Sequence, residues 1–338
     1  MPTRISDSLN RILRDNLVSN REVNNLLREV RSQPVTPEIR AELKSFFETH
    51  GAKFSGSGRR DMERFLGAQP PAPPPAPPAP RRVDDPALLT KHATDTTWKP
   101  VEGGKLFVDG VSFDDVVQGS IANCYMVGAF SAVALANPDA IRNAITENPD
   151  GTFTVRFFER SSFNGPMREV KITVDDDLPQ SATSSLRYGR SRDAKELWVG
   201  VLEKAYAQWK GGYEAIGNGG YPGDVITALT GRATSYSSSQ YTDANVIFEN
   251  IKRGAAGNKP MTAPTHGKDS GVDYSGTGVY AWHVYTVMGA SEENGEKLVQ
   301  LRNPWGSHEP GNDGKNDGIF KMKLEDFTRL YQGVEIGR

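Results

Sequence analysis

Gln118-Gly119-Ser120-Ile121-Ala122-Asn123-Cys124-Tyr125-Met126-Val127-Gly128-Ala129-Phe130 is the stretch on which the reading of the chain turns, because it carries the single cysteine among 338 residues. After Cys124 the apolar positions Val127, Phe130, Val133, Ala134 and Leu135 recur at helical spacing until Asn137-Pro138, which predicts a thiol in the first turn of a helix. There the unpaired N–H groups and the positive end of the helix dipole favour a thiolate. A free cysteine more often serves as a small buried hydrophobe. Gln118 tilts the reading toward chemistry: across the turn at Gly119, its side-chain amide and the Cys124 backbone N–H are spaced to converge on a developing oxyanion.

Composition narrows the class. The 40 basic and 42 acidic residues give a formal charge of -2, so no polyanion-binding surface and no nucleic-acid partner are expected. One cysteine makes no internal disulfide, which fits a reducing compartment. Met1-Pro2-Thr3-Arg4-Ile5-Ser6-Asp7 lacks an apolar signal core, and no stretch approaches ~18 consecutive apolar residues. Neither a secretory signal nor a membrane span is therefore expected, and the location implied is cytoplasmic, with signal-less export left open.

Residues 1–67 read as a small all-α module. Ile5, Leu9, Ile12 and Leu13 form one stripe; Ser19 with Glu22 makes a capping box ahead of Val23, Leu26, Leu27 and Val30. Thr36 caps a third helix with Pro37 at its first position and Ile39, Leu43, Phe46 and Phe47 inside. The run from Gly51 to Gly58 should break the pattern before a short turn at Met62, Phe65 and Leu66. Residues 68–82 form a linker: from Pro70 to Pro80 every residue is proline or alanine, which favours a polyproline II spacer of about 34 Å. The body follows as 83–220 and 221–338, divided at a glycine-rich hinge from Gly217 to Gly223. Phe153, Val155 and Phe157, then Val170, Ile172 and Val174, alternate as an antiparallel strand pair. A helix is expected over Glu196 to Lys210, and strands over Ala281 to Met288, Lys297 to Arg302 and Gly318 to Leu324, ahead of a turn at Asp326 to Leu330.

A catalytic thiol needs a base. Of His50, His92, His266, His283 and His308, only His283 falls within an expected strand, where the backbone can hold the ring. Asn303, opening Asn303-Pro304-Trp305-Gly306 at a strand end, offers an amide oxygen to the imidazole N–H, and Trp305 would shield the pair from water.

Gln118 to Cys124, Glu196-Leu197-Trp198 to Ala207, Gly212-Tyr213-Glu214-Ala215, the His283 segment, Leu301-Arg302-Asn303-Pro304-Trp305-Gly306 and Asp317-Gly318-Ile319-Phe320 to Phe327 together resemble the calpain protease core over about residues 95–332. The resemblance implies an α+β, papain-like fold of two subdomains, a helical lobe with the cysteine and an antiparallel β lobe with the histidine and asparagine. It implies Cys124 as nucleophile, His283 as base, Asn303 as its orienter and Gln118 as oxyanion donor, acting on protein or peptide substrates. The chain departs from the family where Ala122-Asn123-Cys124-Tyr125 replaces Gly-Asp-Cys-Trp and where Trp282 replaces a glycine.

Calpain cores also bind two calcium ions. Asp115 and Glu196 match carboxylates of the first site, and Glu309 and Asp317 match two of the second, where Ile319 stands in place of an acid and weakens the set. No organic cofactor is implied. The stretch Asp313 to Leu324 imitates an EF-hand loop, yet Lys315 and Leu324 occupy positions that need oxygen ligands. The reading that follows is a calpain-like cysteine endopeptidase whose helical module recruits a partner or serves as a pro-region. Acyl transfer or glutamine deamidation by the same three residues is the rival within the class; a non-catalytic binding module is the rival outside it.

Overall fold

The computed structural model describes residues 5–13, 17–32, 34–67, 81–161, 165–183, 185–311 and 313–338. They fall into two compact units, Met1–Ala76 and Pro77–Arg338.

The first unit is helical among its described residues: α1 (Ser6–Arg11), α2 (Asn20–Arg31), α3 (Pro37–His50) and α4 (Gly56–Gly67). The capping box of α2 is formed in both directions, Glu22 N donating to Ser19 Oγ at 3.3 Å and Ser19 N to the Glu22 carboxylate at 2.9 Å. Thr36 caps α3 through Ile39 N at 3.4 Å. Val23, Leu26, Leu27, Val30, Leu43 and Met62 are among the side chains that make its core. The helical pattern breaks after His50 as expected, but the short turn expected at Met62, Phe65 and Leu66 is a full helix that starts at Gly56. Ser55 Oγ accepts from Gly58 N at 3.2 Å and so caps α4 inside the run, while the Arg59 guanidinium donates to Gly51 O. A Cβ at Gly58 would stand 3.1 Å from Val23 Cγ2, so the bare backbone is what lets α4 lie on α2.

The proline rod expected at 70–80 lies outside the described residues. Arg81 and Arg82, assigned to that linker, are fastened to the second unit: Arg81 N donates to Asp150 O at 2.9 Å, and Arg82 pairs with Asp177 at 2.7 Å.

The second unit mixes helices and antiparallel sheets. In chain order it contains β1 (Thr96–Pro100), β2 (Val116–Val117), α5 (Cys124–Ala136), α6 (Pro138–Arg142), β3 (Ile145–Glu147), β4 (Phe153–Arg160), β5 (Met167–Val174), β6 (Asp177–Ser181), β7 (Arg190–Ser191), α7 (Trp198–Lys210), α8 (Tyr213–Ile216) and α9 (Pro222–Thr230). There follow β8 (Thr234–Ser238), α10 (Ala244–Ala256), β9 (Met261–Pro264), β10 (Val284–Glu293), β11 (Glu296–Arg302), β12 (Ile319–Lys323), α11 (Leu324–Leu330) and β13 (Gly333–Gly337).

Two apolar clusters organise it. The first surrounds α5, which is buried from Tyr125 to Ala134 and has no polar face, as a helix enclosed on all sides requires. α7, α9 and the sheet β3-β4-β5 enclose it, with Val155 opposite Ile172 in the expected strand pair. The fully buried Lys204 of α7 pairs with Asp175 at 2.6 Å and Asp85 at 2.5 Å, tying the helix to the strand end and to the entering chain. The second cluster lies on a six-stranded antiparallel sheet, β12-β11-β10-β9-β13-β8, where Ile247, Phe248 and Ile251 of α10 and Phe327 of α11 meet Tyr285, Val299 and Tyr331. The chain does not change cluster at 220/221. Val225, Ile226, Ala228 and Leu229 put α9 in the first cluster, so the passage comes after Thr230.

Polar ties join the clusters. Thr286 Oγ1 on β10 donates to Gly128 O at 2.9 Å. Arg302, fully buried at the end of β11, donates to Val116 O at 2.8 Å, Asp114 O at 3.2 Å and Ser131 Oγ at 3.3 Å. Gln118 N donates to Pro304 O at 2.9 Å. Among the described residues, no helix is long and apolar enough to cross a membrane.

Candidate active site

Cys124 is the first residue of α5, and its half-buried thiol opens into a cavity of about 550 Å³ that His283 also lines. The Val284 backbone hydrogen-bonds the thiol, placing the sulfur beside the residue that follows His283. Burial pushes the thiol up from its usual value against that bond. The thiolate expected from the helix dipole is thus not the resting form, because desolvation outweighs the backbone hydrogen bond.

His283 sits one residue ahead of β10 rather than on it, because Trp282 adopts a left-handed backbone (φ 56°) that ends the strand there. Thr265 holds the residue from both sides instead: His283 N donates to Thr265 Oγ1 at 2.9 Å, and His283 O accepts from Thr265 N at 2.8 Å. Its ring nitrogen Nε2 stands 3.0 Å from Asn303 Oδ1. An amide oxygen only accepts, so Nε2 carries the hydrogen and Nδ1 keeps the lone pair. Asn303 is fully buried and held in turn, Nδ2 donating to His308 O at 3.0 Å and Trp305 N donating to Oδ1 at 3.2 Å. The Trp305 ring packs 4.8 Å from the His283 ring, with Tyr280 4.5 Å beyond it. Burial pushes the imidazole down to about 4 despite the Asn303 bond, so the resting couple is a neutral thiol and a neutral imidazole.

Of the other histidines, His50 ends α3, His92 Nδ1 meets Tyr188 Oη at 3.2 Å, His308 is exposed, and the half-buried His266 accepts from Trp282 N through its backbone carbonyl at 3.0 Å. Gln118 Nε2 donates to Ile121 O at 2.7 Å, and the residue is not among those that line the cavity. An amide NH2 carries two donors, and this bond takes one.

Asp115 and Glu196 are brought together, with a hydrogen bond between their carboxyls. Glu196 accepts from Val108 N at 2.8 Å and Asp115 from Trp198 Nε1 at 3.1 Å. Burial, with the neighbouring Asp115 charge, pushes Glu196 up to about 7. Two hard carboxylates in contact require a shared proton or a cation between them, so this pair fits a hard divalent ion. Glu309 accepts from Gly318 N at 2.8 Å and Asp317 from Ile319 N at 3.0 Å, which closes their own loop. Among the described residues no three acidic, histidine or cysteine side chains cluster as a metal site.

Sequence reasoning missed the supports. Asn123 turns its amide to Glu203 at 2.6 Å, and Gly189 N donates to the same carboxylate at 2.9 Å. Burial pushes this fully enclosed acid up to about 7 against those bonds. Thr265, the His308 carbonyl and Arg302 act through backbone contacts that leave no spacing signature; the replacement of the usual aspartate by Asn123 was the one available hint.

The profile of the calpain family cysteine proteases matches residues 89–311. DEK1 of Zea mays, a calpain-type cysteine protease, is 30% identical over 69% of this chain and 12% of its own length. Calpain clp-1 of Caenorhabditis elegans is 24% identical over 90% of this chain and 41% of its own. The catalytic subunit of calpain-2 from Rattus norvegicus is 26% identical over 69% of this chain and 36% of its own. The chain therefore spans less than half the length of each of these relatives. Its family profile extends from before the cysteine helix to beyond the asparagine turn, and the chain belongs to the calpain family of cysteine proteases.

Proposed function

We propose that the chain is an endopeptidase that cleaves protein substrates through Cys124, His283 and Asn303, between lobes built on the two apolar clusters. The observation that carries this is the Asn303-held imidazole lining the same cavity as the only thiol. His283 Nδ1 takes the thiol proton as Sγ attacks the peptide carbonyl, forming the C–S bond and an oxyanion. The Cys124 N–H and the second N–H of Gln118 receive that oxyanion, which requires the Gln118 amide to turn toward the cavity. The imidazolium gives its proton to the leaving amine as the C–N bond breaks. Water, deprotonated by His283, then hydrolyses the thioester and regenerates the thiol.

Asp115 and Glu196 would hold calcium, which would neutralise their charge and fasten the segment before α7 to the segment before α5. We assign no ion to Glu309 and Asp317. The helical module is proposed to recruit a partner or to act as a removable pro-region, and the site of action to be cytoplasmic, as the single free thiol favours.

Replacing Cys124 by alanine is expected to abolish hydrolysis of an unfolded protein substrate while leaving thermal unfolding nearly unchanged; persistent cleavage would refute the assignment. Calcium is expected to raise the unfolding temperature of the wild type and to lose that effect in Glu196→Gln. An equal rise in both would remove Glu196 from the site.

A further inference from the structure

Trp282 stands where the fold gives it no structural reason to be. It is 70% exposed, and a bulky residue at φ 56° is a backbone outlier of the kind that persists where surrounding structure holds it for use. It is held on both sides. Trp282 N donates to His266 O at 3.0 Å, and the indole lies on Gly267 so closely that a Cβ there would collide with Nε1. The outcome is a fixed aromatic surface on the wall of the cavity that contains Cys124 and His283.

Chemistry says which part of a substrate meets it. In the proposed reaction His283 hands its proton to the leaving nitrogen, so the leaving peptide lies on the histidine side of the sulfur and its first residue lies against the neighbouring wall. We propose that Trp282 is a specificity-determining residue that selects a large apolar or aromatic side chain on the first residue after the cleaved bond. Apart from His283, no acidic or basic side chain among the described residues lines the cavity, so a charged side chain would leave water there without a partner. An exposed indole offers broad apolar area and an offset or edge-on partner to another ring. A larger cavity of about 680 Å³ shares Tyr125, Gly220 and Tyr221 with this one but not His283 or Trp282.

The inference rests on the endopeptidase reading, and the test separates the two. The full chain is given a peptide library, the new N-termini are sequenced, and kcat/KM is measured for two peptides differing only in leucine or glycine after the cleaved bond. The wild type is expected to favour leucine, methionine, phenylalanine and tyrosine there. Trp282→Gly, which relieves the backbone, is expected to reduce the leucine-to-glycine ratio about tenfold. Trp282→Phe is expected to keep most of it, and preferences before the cleaved bond are expected to be the same in all three proteins. An unchanged ratio in Trp282→Gly, or a wild type indifferent at that position, overturns the role of Trp282 and leaves the peptidase reading standing. No cleavage by the wild type overturns both.

Discussion

His283 is neutral in the folded protein because its ring is enclosed by Trp305, Tyr280 and Tyr285, and one accepting amide does not offset the loss of water. The consequence for stability has a definite sign. The unfolded chain takes up a proton near pH 6.5 and the folded chain only near about 4, so falling pH favours unfolding across that window. The loss begins as pH drops below 6.5 and reaches about 3 kcal/mol near pH 4, at about 1.4 kcal/mol per unit. Urea unfolding from pH 7 to pH 4 is expected to show this decline in the wild type and a shallower one in His283→Gln; parallel curves would mean that the ring is solvated. The same enclosure predicts a slow reaction of the resting Cys124 thiol with iodoacetamide near neutrality that accelerates steeply as pH rises, whereas a resting thiolate would react fast and nearly independently of pH.

At the scale of the element, α7 is fixed by a charge as much as by its apolar stripe. Lys204 has no exposed surface and its ammonium lies between Asp85 and Asp175, so removing it strands two acids in the interior. Lys204→Met is expected to cost about 3 to 5 kcal/mol in chemical denaturation, and a cost under about 1 kcal/mol would show that water reaches those acids. The apolar stripe of α7 was legible, as were the α5 start at Cys124, the β4–β5 pair and the caps of α2 and α3, because each follows from local spacing or a local cap. α4 was not legible, since Ser55 captures its start inside a run whose glycines argue for a loop. The end of β10 was not legible either: Trp282 is an ordinary strand residue by type and leaves the strand only because of its backbone angle. Glu203 carries no signal of its own in the sequence, and only the packed fold discloses that it receives the Asn123 amide.

For the whole second unit, the chemistry depends on how α5 meets the sheet. The sulfur comes from one apolar cluster and the imidazole from the other, and the polar ties between them include Thr286 to Gly128, Arg302 to the Asp114–Val116 segment and Ser131, and Gln118 to Pro304. Thr286→Val keeps the shape and deletes one tie. It is expected to cost about 1 kcal/mol of stability and to lower kcat more than it raises KM; an unaltered kcat would mean that the junction is held without it. Residue types and order pointed to the groups proposed to react, but not to Arg302, which crosses the junction through the Val116 and Asp114 carbonyls and Ser131 Oγ. The central claim is a thioester on Cys124 during turnover. Its most direct test is acid quenching of the full chain in the presence of excess protein substrate, followed by mass analysis of the intact chain and its fragments. The account predicts a substrate fragment attached through its carboxyl end to Cys124, absent from Cys124→Ala, with the complementary fragment free in solution. Substrate recovered uncut with a glutamine converted to glutamate, or an adduct on any other residue, would contradict it.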